Sequence, residues 1–99
     1  PPYYRLVYVY LKNHNESLLD QMAAVMAGKL RAVFGNRVLG PDKPPVARIQ
    51  TLFIKKIVVK IEQNAPMGRA RELLLRIQRE MIEDERYKSL IVYYDVDPM

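Results

Sequence analysis

Tyr4, Tyr8 and Tyr10 share one parity along the first apolar run of this chain, and Lys56 and Lys60 share one along a later run. In extended backbone, residues separated by an even number of steps lie on the same face. Two such runs side by side would present rings next to ammonium groups, and Tyr93 or Tyr94 would add a further ring. That combination suits single-stranded nucleic acid, whose bases stack on aromatic rings while cations track its phosphates. Stacking of this kind contributes roughly 1–3 kcal/mol per base. Tyrosine is also a good strand former with an amphipathic ring, so packing against a neighbouring domain is the competing reading.

A second basic group comprises Arg69, Arg71, Arg76 and Arg79, with Lys43 and Arg48 in an earlier loop. Glu72 and Glu83 interleave with the arginines on the polar side of a predicted helix, which describes a self-compensated solvent face. Arg69 differs from the rest because it opens that helix, where bare backbone N–H groups also favour an anion.

The remaining candidates point away from catalysis. Asp95 and Asp97 could form an acid pair or metal site, but no third ligand accompanies them, and a strand-end role is expected. His14, the single histidine, falls in a loop and is expected to be solvated. Gly28, Gly35, Gly40 and Gly68 are isolated and lack the spacing of a phosphate loop. No base accompanies Ser17 or Ser89. The expectation is a chain with no catalytic residues, no metal and no cofactor of its own.

Ninety-nine residues suffice for one core, and a hydrophobic content of 49% argues for a globular fold. Sixteen Lys and Arg against 11 acids give a net charge of +5, compatible with nucleic acid or an acidic peptide as partner. The absence of cysteine excludes disulfides and thiolate metal sites. No run approaches the roughly 20 apolar residues of a membrane span. Tyr3 to Leu11 is apolar but short and broken by Arg5, so it is not read as a signal peptide. Opening on two prolines without an initiator Met, the chain reads as a fragment of a longer protein.

The elements that must position these residues follow from periodicity. Tyr4 to Leu11 reads as a strand, ended by Asn13-His-Asn15. Ser17 with Asp20 makes an N-cap pair for a helix whose stripe is Leu19, Met22, Met26, Leu30 and Val33, stopped at Gly35. Arg37 to Leu39 is a short extended piece cut by Gly40-Pro41. Arg48 to Gln50 resumes a strand, and Leu52 to Glu62 is a long one after a tight turn at Gln50-Thr51. Pro66 is placed in the first turn of a second helix carrying Ala70, Leu73, Leu74, Ile77 and Met81 inward. Leu90 to Val96 closes the chain. In the first strand Val7, Val9 and Leu11 form the inner set. Ile57, Val59 and Ile61 form it in the long strand, which leaves Tyr4, Leu6, Tyr8 and Tyr10 facing out beside Lys56 and Lys60. The order β-α-β-β-α-β predicts an α+β fold of the ferredoxin-like split βαβ type, a four-stranded antiparallel sheet with two helices on one face.

Three landmarks go further. The run Val38-Leu-Gly-Pro-Asp-Lys-Pro-Pro-Val-Ala-Arg48, the terminal Asp95-Val-Asp-Pro98 and the opening Pro1-Pro2-Tyr3 resemble the C-terminal domain of primosomal protein N′, the replication-restart DNA helicase PriA family. The resemblance runs over residues 1–99. It implies a single C-terminal domain excised from a large helicase, working in the bacterial cytoplasm, away from membranes. It also implies that ATP with magnesium, and zinc, are bound elsewhere in the parent. The implied partners are forked or single-stranded DNA, other domains of the parent and the acidic, hydrophobic C-terminal tail of single-stranded DNA-binding protein. In that family a basic residue opening the second helix helps seat the tail. Arg69 is the nearest match, Gly68 its neighbouring alternative, and Lys43 or Arg48 are possible helpers. The family's aromatic-Arg-aromatic pattern at the start of the long strand is only partly kept, as Phe53-Ile54-Lys55.

The reading is therefore a non-catalytic domain of a primosomal helicase, contacting DNA through Tyr8, Tyr10, Lys56 and Lys60 and a protein partner through Lys43, Arg48 and Arg69. Two rivals share the topology: a ferredoxin-like interaction module that dimerises sheet to sheet, and a ribosomal-type RNA-binding domain. An RNA-recognition module is weakened because Leu52-Phe-Ile-Lys-Lys-Ile57 lacks its Gly-Phe-rich strand motif.

Overall fold

β-branched and aromatic residues at alternating positions build a sheet whose two faces differ sharply in polarity. The computed structural model describes residues 3–98, so the Pro1-Pro2 landmark lies outside the described residues. It comprises strands β1 (Tyr4–Asn13), β2 (Val38–Asp42), β3 (Arg48–Ile49), β4 (Leu52–Glu62) and β5 (Ile91–Val96) and helices α1 (Glu16–Phe34) and α2 (Met67–Glu83). Short 3-10 turns, Gly35–Arg37 and Glu85–Tyr87, follow the two helices. The sheet order is β2-β4-β1-β5, every pairing is antiparallel, and β3 lies against β4 as a fifth, two-residue strand. This is the split βαβ arrangement with both helices on one face.

Register sets the core. Val9 pairs with Ile57 on one side and with Tyr94 on the other. Val7, Val9, Leu11, Ile57, Val59 and Ile61 therefore project toward the helices and are buried. Leu19, Met22, Met26 and Leu30 from α1 and Ala70, Leu74, Ile77 and Met81 from α2 meet them. Each large side chain so buried contributes about 1.5–3 kcal/mol.

Several expectations are corrected. The cap of α1 is Asn15, whose Oδ1 accepts from the Leu18 N–H at 3.0 Å; Ser17 and Asp20 already lie inside the helix. Asn15 is held in turn by Asn13, a buried polar residue whose Oδ1 accepts from the Asn15 N–H and whose Nδ2 donates to Ser89. The strand thus runs to Asn13, and the break begins at His14. Val33 is 39% exposed, because the buried stripe of α1 passes from Leu30 to Phe34, one helical repeat on. Leu73 is only half-buried for the same reason: α2 packs through Ala70, Leu74, Ile77 and Met81, and Leu73 stands about 100° from Leu74 around the helix.

Gly40-Pro41 does not end β2. The strand continues to Asp42 across a cis Gly40-Pro41 bond, with a register shift between Leu39 and Asp42. A proline is tolerated there because β2 is an edge strand. Gln50 does not extend β3. It takes φ 56° in the tight turn that joins Ile49 to Leu52. Leu90 is buried just ahead of β5, which starts at Ile91. Pro66 is the N-cap of α2, its carbonyl accepting from the Ala70 N–H at 3.3 Å.

Candidate nucleic-acid interface

The face of the sheet opposite the helices carries Tyr4, Leu6, Tyr8, Tyr10 and Lys12 from β1. In register, Tyr10 lies between Lys56 of β4 and Tyr93 of β5, and Tyr8 lies between Val58 and Asp95. Leu6 faces Lys60, and Lys12 stands between Ile54 and Ile91. The structure therefore brings together all four residues read from sequence as nucleic-acid contacts. It adds Tyr93 and Lys12, the latter legible as the next member of the same parity. Tyr94 points the other way, packing on the core while its hydroxyl donates to Gln78 Oε1 at 2.7 Å.

The rings and cations of this face engage one another. Tyr10 and Tyr93 stack with centroids 4.7 Å apart, and Tyr8 meets Tyr10 edge-on at 6.2 Å. Lys12 Nζ lies 4.6 Å from the Tyr93 centroid, Lys56 Nζ 4.4 Å from that of Tyr8 and Lys60 Nζ 5.6 Å from that of Tyr4. Such contacts contribute about 0.5–1 kcal/mol at exposed sites. Partial desolvation, then the Asp95 carboxylate, push the Tyr10 phenol above its ordinary value; Tyr93 rises through desolvation, then through Tyr10 and Asp95. Both phenols are neutral donors at neutral pH.

Ion pairing separates the free cations from the occupied ones. Arg5, Lys29, Arg37, Lys55, Arg69, Arg86 and Lys88 each have a carboxylate partner. Lys12, Lys56 and Lys60 have none among the described residues, although Asp95 shares their face and Asp42 registers opposite Lys56. One end of the face is closed. Ile54 is buried on the open side, Pro44 of the preceding loop is buried too, and the Ala47 carbonyl of that loop accepts from the Ile54 N–H at 2.8 Å.

The three residues read as a partner site do not converge. Arg48 lies over the Phe53 ring at 4.8 Å, at the start of β4, while Arg69 follows its far end. From Phe53 to Glu62 the strand alone spans about 30 Å. Arg48 and Arg69 therefore lie at opposite ends of β4, while Lys43 follows Asp42, which registers opposite Lys56 part-way along it. Arg69 pairs with Glu72 at 3.3 Å and borders a cleft of about 130 Å³ between the end of α1 and the start of α2. Phe34, Ala65 and Leu73 give that cleft apolar walls; Arg37, ion-paired to Glu62, and Lys60 also line it, the Lys60 ammonium itself lying over Tyr4 on the open face. Arg37 and Lys60, two residues far from Arg69 in sequence, thus share the lining of its cleft. Arg71, Arg76 and Arg79 stay exposed on α2.

Among the described residues no three metal-ligating side chains come together, and no helix is long and apolar enough to cross a membrane. Asp97 pairs with Arg5 rather than with Asp95. His14 is exposed but engaged, its Nδ1 lying 3.0 Å from Thr51 Oγ1 and so tying the end of β1 to the β3–β4 turn. A groove of about 460 Å³ lies between α2 and β5 and is lined mostly by apolar residues, together with Arg71.

Residues 1–99 match the model of the primosomal protein N C-terminal domain. The chain belongs to that family. Replication restart protein PriA of Bacillus subtilis (strain 168) is 27% identical over 100 residues, which cover 99% of this chain and 12% of that protein. A de novo designed protein, Foldit4, superposes with a TM-score of 0.66 at 11% identity, covering 97% of this chain and 98% of its own; that likeness shows the fold alone. In this primosomal protein N C-terminal domain, the Gly-Pro landmark forms the β2 edge and Asp97 fastens the end of β5 to β1.

Proposed function

We propose that this chain is a non-catalytic module of a bacterial replication-restart helicase and contacts forked or single-stranded DNA through the open face of its sheet. The observation that carries the reading is the placement of Lys12, Lys56 and Lys60, without a carboxylate partner among the described residues and set among four tyrosines, on a face that neither helix covers. ATP hydrolysis and zinc binding fall, on this reading, to other parts of the parent. A second role is the docking of the acidic C-terminal tail of single-stranded DNA-binding protein beside Arg69. The cleft there supports it, since its apolar walls beside Arg69 and Arg37 suit an acidic, hydrophobic peptide, whose carboxylates would compete with Glu72 and Glu62 for the two guanidinium groups.

The test is the salt dependence of DNA binding. Three lysine–phosphate contacts give a log–log slope of about −2 on single strands. Replacing Lys56 and Lys60 with Ala should bring the slope to about −0.7. An unchanged slope in that variant would remove the sheet face as the DNA site. Equal competition by RNA would favour the ribosomal-type alternative, and a dimer in light scattering that buries the tyrosines would favour the oligomerisation module.

A further inference from the structure

The phenol groups of this fold divide by face. On the helix side, the Tyr87 hydroxyl accepts from Gln21 Nε2 at 3.1 Å and the Tyr94 hydroxyl donates to Gln78. On the open side, the hydroxyls of Tyr4, Tyr8, Tyr10 and Tyr93 have no protein partner among the described residues. Burial does not explain the division alone, because Tyr8 and Tyr10 are themselves half-covered.

Ring orientation decides what such a face can hold. Tyr10 and Tyr93 are direct cross-strand partners, and neighbouring strands lie about 4.8 Å apart. Their centroids are 4.7 Å apart with planes 13° from parallel. Two rings stacked along the inter-strand direction must stand upright on the sheet, hydroxyls outward. Their β1-side surroundings are occupied: Tyr10 stacks on Tyr93 with Lys12 beside it, and Lys56 lies over Tyr8. A nucleobase would have to separate the two rings to insert between them, or displace Lys56 to stack on the ring face it covers on Tyr8.

Resting on the DNA-contact reading above, we propose that this face grips the phosphodiester backbone rather than the bases. The hydroxyls of Tyr8, Tyr10 and Tyr93 donate to phosphate oxygens, and the ammonium groups of Lys12, Lys56 and Lys60 supply the charge. Hydroxyl and ammonium donors are the usual sequence-independent phosphate contacts. The 6.2 Å between the Tyr8 and Tyr10 rings is close to the step between successive phosphates along a strand. The phenols of Tyr10 and Tyr93, raised above their ordinary value chiefly by desolvation, stay protonated as donors. The ligand class is then any phosphodiester strand, so both the duplex arms and the unpaired arm of a fork would bind without regard to sequence.

The experiment is an anisotropy titration of the chain with three labelled probes: oligothymidylate, a mixed-sequence duplex and an abasic deoxyribose-phosphate oligomer of equal length. The abasic strand is expected to bind within about twofold of oligothymidylate. Tyr10→Phe with Tyr93→Phe keeps both rings and should weaken every probe about tenfold, the loss of donors to a charged acceptor. Phe variants that bind like wild type, alongside Tyr10→Leu with Tyr93→Leu variants that fail, would show stacking. That result overturns this inference and leaves the DNA reading intact. Failure of the abasic strand alone would do the same. A wild-type chain that binds none of the probes overturns both.

Discussion

Arg5 and Asp97 lie 92 residues apart and clasp each other in a two-donor ion pair: Asp97 Oδ2 accepts from Nε and Nη2 of Arg5 at 2.9 and 2.8 Å. Asp97 Oδ1 also accepts from the Leu6 N–H, and the Asp97 N–H donates to the Leu6 carbonyl at 2.7 Å. The first strand and the last are fastened at this point, where Asp97 takes φ 51°.

Hydrogen bonding from Arg5 holds the Asp97 carboxyl below its ordinary value of 3.8. A depressed folded-state value stabilises the fold above 3.8, and the benefit fades as pH falls through the lower folded value. Asp97→Asn tolerates the positive φ but loses the charge. At neutral pH it should lower stability, by an amount that solvent screening keeps small. Urea denaturation of both proteins across pH should show the gap closing in acid. A gap that is constant with pH would mean that the carboxylate charge contributes nothing.

Tyr94 sets the alkaline limit. Burial raises its phenol from 10.0 to about 12. A raised folded-state value means that the unfolded chain loses the proton first. The Tyr94 contribution is therefore complete below pH 10 and is lost as pH climbs toward 12. Melting temperatures should fall over that window, and Tyr94→Phe should show a shallower fall. Equal slopes for the two proteins would place the alkaline transition on other groups.

Gly40 has no room for a side chain. An added Cβ would lie 2.9 Å from the Lys56 carbonyl oxygen, and the residue takes φ +98°. Gly40→Ala must therefore shift either β2 or β4, at a cost of about 1–3 kcal/mol. Gly28→Ala, in open space on α1, is the control and should stabilise slightly. Chemical denaturation reads both, and a neutral Gly40→Ala would show that the edge strand relaxes freely.

Arg69 and Arg48 separate the two conceivable tail sites. Arg69→Ala should weaken a labelled acidic tail peptide by about 1.5–3 kcal/mol, the range for a hydrogen bond to a charged group. Arg48→Ala, at the other end of β4, should have no effect. The reverse pattern in calorimetric titration would move the site to the Phe53 end of the sheet.

Local periodicity carried a good part of this molecule. The bounds of β4, Leu52–Glu62, follow from its own β-branched run and its bracketing turn. The facing of Tyr4, Tyr8 and Tyr10 follows from strand parity, because alternation belongs to the backbone and needs no partner. Only the tertiary structure chose between Tyr93 and Tyr94, because Leu90 closes the turn ahead of β5 and the pairing of Val9 with Tyr94 sets which parity faces inward. It alone separated Arg48 from Arg69, since the two appear as one basic group until the length of β4 is laid between them. It also gathered Arg37, Lys60 and Arg69 around one cleft, three residues from three elements with no common spacing. Sequence determines which face a residue takes on its own element; what stands across from that face depends on register and on the distances between packed elements, and those belong to the assembled chain.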